Sequence, residues 1–75
     1  MTNREAVVGV LKIYSCLTSN EISFFAKRMF NFDISAGSAA AAMRQIIGMG
    51  KGCKQAHPVS GKIVYWLTNE GKVIL

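Results

Sequence analysis

Carboxylates are scarce in this sequence: four Asp and Glu residues stand against nine Lys and Arg in 75 residues, with one histidine, one proline and two cysteines. Glu5, Glu21, Asp33 and Glu70 fall at helix starts or in loops, and His57 precedes Pro58 in a turn. No nucleophile, base and orienting group share one pattern, so the chain is not expected to be an enzyme. Cys16 and Cys53 are read as reduced, packed thiols. Cys53 and His57 have a C-x3-H spacing, but a structural zinc takes four ligands and only Cys16 is left to help, so no metal is expected. Gly48, Gly50 and Gly52 neither follow a strand nor open a helix, which excludes a phosphate-cradling nucleotide loop, and no cofactor is expected. No apolar run approaches the ~18 residues that span a bilayer. The start, Met1-Thr-Asn-Arg-Glu5, carries both charge signs and no cleavage site follows, so a soluble, cytoplasmic protein without a membrane partner is expected.

The apolar content of 51% suffices for one small core, so residues 1–75 are read as a single domain. The formal charge of +5 favours a polyanionic partner. Its placement is uneven. Through residue 43, Arg4, Lys12, Lys27 and Arg28 face Glu5, Glu21 and Asp33, a sum of +1, whereas Arg44, Lys51, Lys54, Lys62 and Lys72 then face Glu70 alone, a sum of +4. The plain alternative is a solvated, lysine-rich surface.

Three helical patterns precede a hairpin. Thr2-Asn-Arg-Glu5 is a capping box opening a helix at about 3–15, with Val7, Val10, Leu11 and Tyr14 as its buried stripe and Leu17 just beyond. Val8 and Ile13 lie off that stripe, as half-buried residues or as a small self-association surface. A second capping box, Thr18 with Glu21, opens a helix that buries Ile22, Phe25, Ala26 and Met29, and Phe30 and Phe32 close the corner. Asn31 tolerates the left-handed backbone that a sharp helix exit needs, and Asp33 is placed to assist Ser35, the cap of the third helix. In that helix, 35–48, the inward face is Ala39, Ala40, Met43, Ile46 and Ile47, and Gly37, Ser38, Ala41, Arg44 and Gln45 point outward. The join from Asn31 to Ile34 is so short that the helices on either side must cross steeply.

After the glycine loop, Cys53 to His57 is a short strand, Pro58-Val-Ser-Gly61 a turn, and Lys62 to Thr68 the clearest strand in the chain. Ile63, Tyr65 and Leu67 share one face and are expected to complete the core; Val64 and Trp66 share the other, where Trp66 is either half-buried against a helix or at the hairpin surface. The apolar ending Val73 to Leu75 packs back on the first helix, meets a second chain, or marks a domain cut from something longer. The fold class is therefore α+β, three helices on a small antiparallel hairpin.

This order of helix, capped helix, turn, helix, glycine loop and hairpin resembles the winged helix-turn-helix superfamily of small bacterial and phage regulators, and Tyr65-Trp-Leu-Thr-Asn-Glu-Gly71 is similar to the Y-x-L-T-x-x-G ending of their second wing strand. Phe32-Asp-Ile-Ser35, with Ala39, Ile46 and Cys53-Lys54, resembles small enterobacterial activators of the CaiF/GrlA type, and the size and layout are similar to fimbrial regulators of the PapI/FaeA type. Two departures are visible: Gly37 sits where many recognition helices carry a longer polar side chain, and the corner from Ala26 to Ser35 exceeds the compact helix-turn-helix pattern.

The resemblance implies double-stranded DNA as partner, with helix 35–48 in the major groove and the wing, about 53–68, on the backbone or minor groove. Ser35 and Ser38 would contact phosphate or base edges beside Gly37 and Ala41, while Arg44 and Gln45 suit guanine and adenine edges. Lys51, Lys54, His57 and Lys62 would meet phosphate or the minor groove, and Lys27 and Arg28 are further phosphate candidates unless they are simply a solvated face. So few base-reading side chains imply a homodimer on a two-part site or a co-regulator beside a larger DNA-binding protein. The rival reading is a winged-helix protein-interaction module, an adaptor or small inhibitor, using the apolar tail, Val8 and Ile13.

Overall fold

Thr2 and Thr18 begin their helices by the same exchange. Each hydroxyl accepts the amide of a glutamate three residues on, Glu5 at 3.1 Å and Glu21 at 3.2 Å, and each glutamate accepts the threonine amide in return, at 2.7 and 2.9 Å. The bond from the Thr2 backbone amide, with that from its side chain, holds the Glu5 carboxyl below the usual carboxylate range. In the computed structural model, which describes residues 1–69, these caps start α1 (Asn3–Ile13) and α2 (Ser19–Phe30). Helix α3 (Ala36–Gly48) starts at Ser35, whose hydroxyl accepts the Ser38 amide at 3.1 Å. The ending Val73 to Leu75 lies outside the described residues.

Between α2 and α3 the chain turns on Asn31 at φ 52, ψ 36, with its amide bonded to the Lys27 carbonyl at 3.0 Å. A β-branched side chain is strongly disfavoured there, so Asn31→Val is expected to cost about 1–2 kcal/mol, seen as a thermal midpoint lower by roughly 5–10 °C. Asp33 does not assist the α3 cap: it pairs with Lys27 at 3.1 Å, both side chains largely in water, where such a pair is worth little. The corner is held instead by Ser23 of α2, whose hydroxyl donates to the Ile34 carbonyl.

Strands β1 (Gly52–Ala56) and β2 (Ile63–Leu67) pair antiparallel with Gly52 opposite Leu67 and Lys54 opposite Tyr65. A further rung has no counterpart among the sequence expectations. Leu17, between α1 and α2, exchanges backbone bonds with Tyr65 at 3.1 and 2.8 Å, so β2 is flanked on both sides. Gly52 is a buried strand residue rather than loop, because a β-carbon there would come within 3.0 Å of both Ile46 Cγ2 and Met43 Cε. The absence of a side chain lets β1 seat directly on α3.

One core joins these parts: Ala6, Val7, Val10 and Leu11 of α1, Ile22 and Ala26 of α2, Ala39, Met43 and Ile46 of α3, and Tyr65 and Leu67 of β2. Several expectations change here. Val8 is 2% exposed and belongs to the core, because α1 is covered on two sides, by α2 and by α3; it offers no surface for association. Helix α1 stops at Ile13, leaving Tyr14 as its cap, 40% exposed, with its ring stacked on Phe25 at 4.3 Å. On α3, Ala42 is buried while Ala40 is half-buried, so the inward face turns slightly toward α1. Ile63, near the hairpin tip, is 41% exposed and lies beyond the core that Tyr65 and Leu67 complete. The arrangement is α+β with a winged-helix-like topology.

Candidate nucleic-acid interface

Helix α3 buries Ala39, Ala42, Met43 and Ile46, which leaves the opposite face open. At 3.6 residues per turn that open face is the line Gly37, Ala41, Arg44 and Gly48, with Ser38 and Gln45 along one flank. Only Arg44 is long in the central line, so the helix backbone lies close to the surface along most of its length. The Ser35 hydroxyl is occupied by its own helix, accepting the Ser38 amide and donating to Ser38 Oγ at 3.0 Å. Ser38 can still donate its own proton outward.

The flank bearing Ser38 and Gln45 borders a groove of about 400 Å³ whose other wall is the start of α1, Thr2, Asn3 and Arg4. Arg4 reaches along this groove to the end of α3, its Nη1 lying 3.9 Å from the Met49 sulfur. A thioether is a weak acceptor and Arg4 is exposed, so its guanidinium remains open to a stronger partner. Arg4 is therefore a candidate that sequence reasoning missed. Nothing local in the sequence pairs residue 4 with residue 45; only the packing of α1 across α3 brings them together.

On the hairpin, Lys54 sits opposite Tyr65 on the same sheet face, but on β1, where it is exposed. His57 shapes the tip: its Nδ1 accepts the amides of Val59 at 3.2 Å and Ser60 at 3.3 Å, which leaves Nε2–H as the outward donor. Lys62 immediately precedes β2, its amide bonded to Ser60 Oγ at 3.3 Å, and shares a surface cavity with Thr18, Asn20 and Glu21 at the start of α2. Lys51 is half-buried at the base, where its amide donates to the Ile46 carbonyl and its carbonyl accepts from Thr68, tying the end of α3 to the wing.

Lys27 and Arg28 stand apart from these groups. Lys27 is engaged with Asp33, and the Arg28 guanidinium lies 5.6 Å from the centre of the Phe24 ring on the outer side of α2. Trp66 is half-buried on the outer face of the sheet, beside Cys16, Gln55 and Pro58 rather than against a helix. Both cysteines are free, and no group of three or more potential metal ligands occurs among the described residues. No described helix is long and apolar enough to cross a membrane. Against family models, curated proteins and solved structures alike, the chain gives no match.

Proposed function

We propose that this chain is a small cytoplasmic DNA-binding regulator of the winged helix-turn-helix type. Helix α3 enters the major groove of double-stranded DNA, and the wing follows the backbone or the adjacent minor groove. The observation that carries this reading is the open face of α3, with Arg44, Gln45 and Ser38 as its polar groups and Arg4 of α1 across the groove beside it; Lys51 follows the end of α3, and Lys54 and Lys62 are exposed on the hairpin. Arg44 and Gln45 read base edges; Arg4 and the lysines hold phosphates. With so few base-reading groups, one copy discriminates sequences weakly, and a homodimer or a larger regulator completes the specificity.

Fluorescence anisotropy with a labelled duplex of unrelated sequence, titrated from low to moderate salt, tests the reading. If these four cations meet phosphates, log K should fall against log salt with a slope of about −3.6. No binding at low salt would discard it in favour of the protein-interaction reading, which the exposed rings of Tyr14 and Phe24 support.

A further inference from the structure

The outer side of α2 carries an aromatic array at the edge of the core, with Phe25 half-buried against the core and Tyr14 and Phe24 exposed. Tyr14 stacks on Phe25 at 4.3 Å, Phe25 meets the edge of Phe24 at 5.2 Å, and the Arg28 guanidinium covers Phe24 at 5.6 Å. Phe24 is 56% exposed, and Ile13, next to Tyr14 in the chain, is 65% exposed. Aromatic residues and arginine gathered at the centre of a surface are the composition of interface cores.

The order of residues along this stripe names the partner. Glu21, Phe24, Phe25 and Arg28 recur at i, i+3, i+4 and i+7, one line along the helix. Read from the opposite end the line keeps its spacing, with the acid and the base exchanged. When two such helices lie antiparallel about a two-fold axis between Phe24 and Phe25, Glu21 stands level with Arg28 of the partner subunit, and Phe24 with Phe25 of the partner subunit. The stripe is thus self-complementary in charge as well as shape, as an isologous contact requires. The charges are available for it. Glu21 uses Oε1 for the α2 cap, leaving Oε2, and Arg28 forms no ion pair among the described residues.

We propose that the outer face of α2 is a homodimer interface, in which two copies pack α2 against α2 antiparallel through Phe24 and Phe25, closed at each end by a Glu21–Arg28 pair. This surface is separate from the groove and the wing, and its existence does not depend on DNA binding.

Sedimentation equilibrium of the full chain, from micromolar to about millimolar concentration, tests it, with circular dichroism to confirm that each variant is folded. The wild type should associate to a dimer and no further. Arg28→Glu places four acidic groups where two ion pairs stood and should raise the dissociation constant by roughly 100-fold, tenfold for each pair. Phe24→Asp alters a side chain that is mostly in water in the single copy, and it should give a folded monomer. Glu21→Lys combined with Arg28→Glu restores the complementarity and should bring the dimer back. A wild type that stays monomeric throughout, or a dimer that survives both Phe24→Asp and Arg28→Glu, overturns the proposal. Failure of the double variant to dimerise although folded overturns the antiparallel register.

Discussion

Ile46→Ala should leave a chain that is largely unfolded at physiological temperature. Ile46 has no exposed surface, and it stands where α3 meets the first residue of β1. Truncating a buried isoleucine typically costs about 2–5 kcal/mol, and the loss grows where the surroundings cannot close the gap. They cannot close it well here. Gly52, the strand residue packed on Ile46, has no side chain to move in. A domain of this size holds only about 5 kcal/mol in total, so the midpoint should fall by roughly 10–30 °C. Circular dichroism during heating measures this directly; a drop below about 5 °C would mean that α3 and the wing are not coupled through this contact.

The triple variant Arg44→Ala, Lys54→Ala, Lys62→Ala should abolish measurable DNA binding at physiological salt without disturbing the fold. All three side chains are exposed, so their removal leaves no cavity. Deleting one cation that neutralises a phosphate should reduce the magnitude of the salt slope by about one, so the loss of Lys54 and Lys62 flattens it by nearly two. The single variants separate the roles. Lys62→Ala should weaken every sequence alike, whereas Arg44→Ala should narrow the gap between preferred and unrelated duplexes by about 1–3 kcal/mol if it grips a guanine with both nitrogens. Wild-type affinity in the triple variant would remove α3 and the wing from consideration as the DNA surface.

Where structure is dictated by neighbours in the chain, the sequence is readable. Both capping boxes, the Ser35 cap, the left-handed Asn31 and the inward positions of β2 beyond its tip follow from local hydrogen bonding and from periods of 3.6 and 2. What cannot be read depends on which elements meet. Val8 is buried only because two helices cover α1, Arg4 joins the α3 groove only through tertiary packing, and Asp33 turns to Lys27 rather than to the helix ahead of it. The Leu17 rung eludes sequence reading for a different reason: a single bridge residue has no run of alternation to detect. The aromatic stripe on α2 is visible as letters, but a helical period alone does not separate two adjacent faces, and it places Phe25 wholly in the core.

That Leu17 rung also sets how the molecule opens. Its two amides are held by bonds between chain segments about fifty residues apart, and closing so long a loop depends on the helices between them being in place. The hairpin tip, held by its own turn, can fray without disturbing them. Amide hydrogen exchange should therefore be slow at both Leu17 and Tyr65 and at matching rates, set by the opening of the whole domain, while Val59 and Ser60 exchange quickly at the exposed tip.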